Sequence, residues 1–291
     1  MKNPVKYAIF MTLAIITICF TGCVVSSNTY KNADKYSAGN ADFEGGKVKS
    51  LDINWISGSV KVTRHDLDTV VVTETSDKDL KEAQEVHTWL DGNVLRIQYC
   101  KSGESFIFKK IEKDLEIKIP KDMNLEDFHY DGASGNCSFQ DISADTFDID
   151  SSSGDITLKQ KGESSSIDVD VSSGKIDVTA ETVDKIDVDS SSGKIKVTAE
   201  NAKKVEADAS SGNIELHFAN VPSDTEADAS SGDITIYVPE NSDFTADVDT
   251  SSGDFDSDIA LTKDGSKYIN GDGSNDMDLN TSSGDIEIKA E

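Results

Sequence analysis

The chain has 291 residues, with 55 Asp and Glu against 28 Lys and Arg, for a formal net charge of −27 at neutral pH. A field of that sign repels nucleic acid, anionic polymers and anionic lipid headgroups, and it attracts cationic peptides and divalent ions. Arg64 and Arg96 are the only arginines, so the residues that would hold a uronate are scarce.

The N-terminus reads as an export signal over residues 1–22. Lys2 and Lys6 precede the apolar run "YAIFMTLAIITICF", and "FTGC" follows with Cys23 at its end. This pattern resembles the bacterial lipobox, which implies a lipidated Cys23 and an extracytoplasmic chain held at the membrane as a lipoprotein. Phe20 stands where that motif usually has Leu. The alternative is an uncleaved anchor, since Tyr7 to Val25 is just long enough to span a bilayer. Loss of residues 1–22 removes Lys2 and Lys6 and no acid, which takes the net charge to −29.

Residues 23–46 are small and polar with little periodicity, and are expected to form a flexible tether of roughly 26 Å root-mean-square length. Residues 47–130 are expected to form an N-terminal β region with a capping insertion. Its first segment, "LDINWISGSVKV", alternates Leu51, Ile53, Val60 and Val62 about Gly58. Beyond it come "TVVVTETS", a short helix expected at Lys78 to Gln84, the hairpin "VHTWLDGNVLRIQY" turning at Asp91-Gly92, and "DLEIKIP" ending at Pro120.

Residues 131–291 carry a repeat. Ser-Gly recurs at Gly135, Gly154, Gly174, Gly193, Gly212, Gly232, Gly253 and Gly284, in steps of 19 to 21 residues until a last step of 31. Mostly apolar residues stand five and seven places before the glycines (Ile149 and Phe147, Val188 and Ile186) and two and four places after them (Ile156 and Leu158, Ile195 and Val197), with Ser257 an exception. Alternation at period two predicts strands with one buried face. The buried parity is odd before the glycine and even after it, so the backbone must slip by one residue at the corner, which suits glycine. The flanking serines are expected to bond backbone groups freed there.

The fold class expected is all-β: a β-solenoid, single-stranded and parallel β-helix-like, of about 20-residue coils with Ser-Ser-Gly corners. An array of antiparallel hairpins is the alternative. Cys137 falls in the inward column, whereas Cys100 falls on the outer parity of "VLRIQYC", so a bridge between them is not expected.

Two acidic columns accompany the repeat. Four residues before the glycines stand Asp131, Asp150, Asp170, Asp189, Asp208, Asp228 and Asp249; six before them stand Asp148, Asp168, Asp187, Glu206, Glu226, Asp247 and Asp278. Stacked carboxylates about 5 Å apart repel by roughly 0.8 kcal/mol each even in water. Hydration, screening and partial protonation could tolerate this, helped by Lys175, Lys194 and Lys196 on the next strand. Calcium could offset it, with Asp168, Asp170, Asp187, Asp189 and Asp208 as candidate ligands. A lysine-rich peptide is the third choice. "NGDGSNDMDLN" fails as an EF-hand, having Asn275 at the sixth loop position and Thr281 at the twelfth.

No catalytic residue is expected. His65, His87, His129 and His217 fall at unrelated repeat positions, so no serine has an evident base. Acidic pairs suited to glycan cleavage recur in every coil instead of marking one site.

"INWISGSVKV", "LEIKIPKDMNLEDFHYDGASGN", "SSSGDITL", "SSGKIDV", "SSGDITI" and "TSSGDIEIKA" together resemble the bacterial putative-adhesin domain family of unknown function, over about residues 47–291. The resemblance implies an extracytoplasmic or membrane-associated β-solenoid and supplies no catalytic residues. The expectation is a surface-exposed, lipid-anchored, non-catalytic adhesion or interaction module of the cell envelope. It would need no cofactor beyond the calcium just considered, would bind no nucleic acid, and would meet a protein, peptide or glycan partner. A sensor or decoy for cationic peptides or divalent ions is the alternative, and a polysaccharide-active enzyme a weaker one.

Overall fold

The computed structural model describes residues 29–104 and 111–291. The expected signal and Cys23 lie outside them. Among the described residues 24 strands join one continuous sheet, and the only helices are single 3-10 turns. No helix among them is long and apolar enough to cross a membrane. The protein is therefore all-β.

Pairing between repeats is parallel, which excludes the hairpin array. Ile156 pairs with Ile176, Ile176 with Ile195, Ile195 with Ile214 and Ile214 with Ile234. Before the corners, Phe147 pairs with Ile167, Ile167 with Ile186 and Ile186 with Val205. Each repeat thus lies on the next as one rung, which we identify by its glycine. The inward residues form columns with essentially no exposed surface. Burial of one such Ile or Val contributes about 1.5–3 kcal/mol.

The corners explain the glycines. A Cβ on Gly193 would lie 1.9 Å from the carbonyl oxygen of Gly174, and one on Gly174 2.1 Å from that of Gly154. The backbones of successive corners touch, and only a residue without a side chain fits between them. Hydrogen bonding continues through the bend: Gly174 N–H donates to Ser192 O at 3.1 Å and Gly193 N–H to Ser211 O at 3.1 Å. The serine carbonyls, not the hydroxyls, thus accept the corner bonds. Ser191 and Ser192 are exposed and make no side-chain hydrogen bond among the described residues. A further device was missed in the sequence. The residue after several corner glycines accepts from the next rung through its side chain: Asn136 Oδ1 from Asp155 N–H at 3.0 Å, Asp155 Oδ1 from Lys175 N–H at 2.9 Å, and Asn213 Oδ1 from Asp233 N–H at 3.1 Å.

Spatial order departs from chain order at both ends. The strand Asp276–Ser283 pairs with Asp224–Ser231 on one side and Phe244–Thr250 on the other. The C-terminal Gly284 rung is therefore inserted between the Gly232 and Gly253 rungs, which is why the last sequence step is long. The chain passes that position, builds the outer rung, turns through the antiparallel strands Thr262–Asp264 and Lys267–Asn270, and returns to fill the gap. At the other end the Gly58 rung lies directly against the Gly135 rung, with Ile53 beside Tyr130 and Val60 beside Cys137. Residues between them run outside it, where Lys113–Pro120 pairs with Val60–His65.

Residues 29–46 do not form the expected tether. Ser37–Ala38 pairs antiparallel with His87–Thr88, and Ala41–Glu44 with Thr69–Val72, covering strand edges that would otherwise present unpaired backbone groups. The Tyr30 hydroxyl donates to Cys100 O at 3.0 Å. Only Glu82–Gln84 of the expected helix is helical, as one 3-10 turn. Cys137 is buried in its column with a free thiol, so no bridge joins it to Cys100. Cys100 is itself buried, against its outward parity, as is Gln98 on the same parity, and the docked N-terminal segment reaches this edge through Tyr30. The N-terminal end of the core is closed by Trp55, whose indole N–H donates to Lys113 O at 2.9 Å, and by the fully buried Lys113–Glu74 ion pair at 2.5 Å.

Candidate functional site

The two acidic columns lie side by side on the strands that precede the corners. Asp148 pairs with Asp168, Asp168 with Asp187 and Asp187 with Glu206; Asp150 pairs with Asp170, Asp170 with Asp189, Asp189 with Asp208 and Asp208 with Asp228. Backbone partners on neighbouring strands sit about 4.8 Å apart. Three sequence candidates, Asp170, Asp189 and Asp208, therefore line up in the inner column, and Asp168 and Asp187 in the outer one. The insertion at the C-terminal end puts Asn280 into the inner column between Asp228 and Asp249.

The columns differ in what offsets their charge. In the outer column the protein supplies its own ammonium groups, two places further from the corner. Lys185 Nζ lies 2.7 Å from Asp187 and also pairs with Glu206; Lys204 Nζ lies 2.7 Å from Glu206, 3.0 Å from Asp224 and 3.6 Å from Glu226. Each lysine thus ties its own rung to the next. Burial alone would raise Glu206, but the bonds from Lys185 and Lys204 outweigh it and hold the carboxyl down to about 2. His129 pairs with Asp148 at 3.1 Å and lowers that carboxyl too. Asp168 has neither kind of partner, and partial burial with Asp187, Asp148 and Asp150 nearby pushes it up to about 6.

The lysines expected to help do not face these columns. Lys175 pairs with Asp177 at 2.7 Å, and Lys194 and Lys196 both reach Glu215. They belong to the strand after the corner, so their side chains leave the opposite side of the bend. The residues that matter, Lys185 and Lys204, lie before the corner at even spacing from the acids, a signal that was present in the sequence.

The inner column has no such partner. Among the described residues, no Lys, Arg or His forms an ion pair with Asp150, Asp170, Asp189, Asp208 or Asp228. Desolvation followed by neighbouring carboxylates raises Asp150, Asp208 and Asp189, the last to about 6, and desolvation alone raises Asp170. Asp170, Asp189, Asp208 and Asp228, with Asn280 and Asp249 beyond them, form one wall of an open groove of about 530 Å³ that runs along the stack. Ser191, Ser210, Ser230 and Ser282 form the other wall; between the walls runs the backbone of Ser190, Ala209, Ala229 and Thr281, whose side chains take the inward parity. Ser190 is buried to 4 % of its surface, and its hydroxyl has no hydrogen-bond partner.

The carboxylates are arrayed in a line and do not converge. Among the described residues no group of three or more His, Cys, Asp or Glu side chains is arranged to hold a metal ion. The histidines are also dispersed. His217 stacks on Tyr237 at 4.2 Å and bonds Glu215 at 2.8 Å, on the face after the corner and away from the groove serines.

No curated protein matches the chain. Among solved structures, a putative adhesin from Parabacteroides merdae is 14 % identical, with a TM-score of 0.48, and the match covers 91 % of this chain and 100 % of that one. A putative lipid binding protein from Parabacteroides distasonis is also 14 % identical, with a TM-score of 0.48 and coverage of 88 % and 97 %. A putative adhesin from Bacteroides fragilis is 17 % identical, with a TM-score of 0.41 and coverage of 87 % and 96 %. The model of one family, Toastrack DUF4097, matches residues 48–289, nearly the whole of the stacked region, and the chain belongs to that family.

Proposed function

We propose that the protein is a non-catalytic interaction module of the bacterial cell envelope, lipid-anchored through Cys23 and exposed at the surface as a β-solenoid. On this reading its coils are of about 20 residues with Ser-Ser-Gly corners, and its partner is captured along the groove beside the inner acidic column. The observation that carries the reading is that column: five successive rungs present carboxylates with no cationic side chain against them, beside an outer column whose charge is largely offset from within. Such a line of like charge costs stability in the isolated protein and becomes favourable only when a cation lies on it. Acids repeated on every rung suit an extended partner better than one reacting centre.

The test uses the full chain and poly-lysine. Binding is expected that weakens steeply between ~0.05 and ~0.5 M salt, and that the combined Asp170→Asn, Asp189→Asn and Asp208→Asn variant loses. Cys23→Ser is expected to move the protein from the membrane fraction to the medium or soluble fraction. Poly-lysine binding that ignores the three substitutions, or turnover of a glycan by the purified chain, would overturn the reading.

A further inference from the structure

We propose that the N-terminal end of the stack is the face this protein turns to an anionic phospholipid bilayer, so that it stands upright on the membrane with its acidic rungs pointing away. The inference rests on the reading of Cys23 as the lipid anchor and goes beyond it by naming the surface that meets the headgroups. Its first support is the order of strands at that end. Before the corners, Ser50–Trp55 of the Gly58 rung pairs with Val94–Gln98, that strand with His87–Asp91, and that one with Ser37–Ala38. After the corners, Val60–His65 pairs with Lys113–Pro120, which pairs with Thr69–Ser76, which pairs with Ala41–Glu44. The strands nearest Cys23 in the chain are thus the outermost layer of the stack. Tyr30 is held beside them, its ring 4.7 Å from that of Tyr36 and its N–H donating to Ser102 Oγ at 3.1 Å. Cys23 precedes Tyr30 by seven residues, at most about 25 Å of chain, so the anchor leaves from this end.

The second support is the distribution of charge along the stack. Residues 24–121, whose described strands form the four layers up to and including the Gly58 rung, carry 15 Lys and Arg against 16 Asp and Glu. Residues 122–291, which build the eight rungs beyond, carry 11 against 39. Nearly all of the net charge therefore lies in the part of the stack farthest from Cys23. Lys31, Lys35, Lys81 and Lys101 are exposed at the near end, where Lys81 and Lys101 line one cavity with Asp34 and Tyr36. Basic side chains close to an anionic leaflet are attracted to it, and acidic ones are repelled.

Range decides between an upright and a flat pose. On the side before the corners twelve strands stand in file from Ser37–Ala38 to Phe244–Thr250, which at about 4.8 Å a step makes the file about 53 Å long. Charges act over only about 8 Å at physiological salt. A flat pose would lay the eight acidic rungs within that range of the headgroups. An upright pose brings only the terminal layers there, whose charges nearly cancel, and leaves the acidic columns and their groove facing the medium.

The experiment measures energy transfer from single fluorophores on the lipidated full chain to acceptor-labelled headgroups, in vesicles of equal parts phosphatidylglycerol and phosphatidylcholine. Cys100 and Cys137 are buried, so the donor can be placed through Asp42→Cys in the outermost layer or Asp256→Cys in the Gly253 rung, both exposed positions. Transfer from the Asp256 position is expected to be severalfold lower than from the Asp42 position, and the difference to shrink on pure phosphatidylcholine, where nothing repels the acidic rungs. The combined Lys31→Glu, Lys35→Glu and Lys101→Glu variant should lose transfer from the Asp42 position on anionic vesicles and keep it on neutral ones, a contrast that misfolding would not produce. Equal transfer from the two positions on anionic vesicles, or a difference of the same size on neutral ones, would overturn the proposal. Transfer between copies through Asp42→Cys in place of transfer to lipid would assign that end to a second copy and overturn it too. If the chain sediments with the vesicles and both positions transfer alike, the pose falls and the anchor stands; if it sediments with neither vesicle, both fall.

Discussion

Asp189 and Glu206 show how differently two carboxyls can behave on one strand face. Asp189 is partly desolvated among Asp187, Asp208 and Asp170 and is pushed up to about 6, whereas Glu206 is drawn down to about 2 by Lys185 and Lys204. The sign of the pH effect follows. A carboxyl whose folded value lies above its unfolded value of 3.8 binds its proton more readily in the folded state between the two values, so stability falls as pH rises from about 4 to about 6. Glu206 and Asp148 act oppositely, and their contribution is lost only below the ordinary carboxylate range. The melting temperature is therefore expected to be higher at pH 5 than at pH 7. Asp189→Asn should raise it at pH 7 and shrink the difference; a melting profile that stays flat, or rises with pH across this window, would count against an unpaired inner column. The alignment of these acids was legible in the sequence because it follows from repeat length and strand parity alone. Which of them the protein neutralises was legible only in part: even spacing puts Lys185 and Lys204 on the acidic face, but a lysine side chain reaches across rungs, and the acids it meets there are fixed by the stacking.

At the scale of the element, the corner is set by backbone contact between one rung and the next. The change of buried parity across Ser-Ser-Gly required a residue tolerant of unusual backbone geometry, and Gly193 has φ near 151°. The steric reason is stronger: its neighbour's carbonyl stands where a Cβ would go. Gly193→Ala should therefore destabilise by about 3 kcal/mol or more, at the upper end of overpacking costs, because the obstructing atom is backbone and cannot rotate away. Ser191→Ala, at an exposed position without side-chain bonds, should stay within about 0.5 kcal/mol. Chemical denaturation of the two variants separates these outcomes, and equal effects would refute the contact argument. The hydroxyl role that the sequence suggested for these serines is taken by their carbonyls. Single-residue chemistry cannot distinguish the two, since both belong to the same residue and the choice depends on where the next rung lies.

For the whole molecule the decisive feature is the order of the rungs. The Gly253 rung has no direct contact with the Gly232 rung in register; each pairs with the inserted Gly284 rung. Deleting residues 276–291 should therefore expose the chain from Phe244 onward as well as the remaining hairpin. Limited proteolysis or hydrogen exchange would then show loss of protection beginning just after Val238, whereas a rung order that followed the chain would leave residues 244–257 protected. The N-terminal end obeys the same logic, since the Gly58 rung is held between Lys113–Pro120 and Cys137–Ile142.

Local chemistry acting at short range was enough to determine the strands, their inward faces and the equivalent outward positions of the acids in successive repeats, whereas the choice of parallel stacking over hairpins came from the observed pairing. Those faces and positions follow from period-two burial and a repeat of constant length, and need no knowledge of which rung touches which. The inserted C-terminal rung, the docking of residues 29–46 on the sheet, the pairing of Lys185 and Lys204 with the outer column, and the solitary hydroxyl of Ser190 were decided only by tertiary structure. The physical reason is common to them. Every rung presents nearly the same edge, so the sequence permits many stacking orders and many cross-rung contacts. The choice among them rests on closure of the two ends, where residues far apart in the chain compete to cover the last exposed strand.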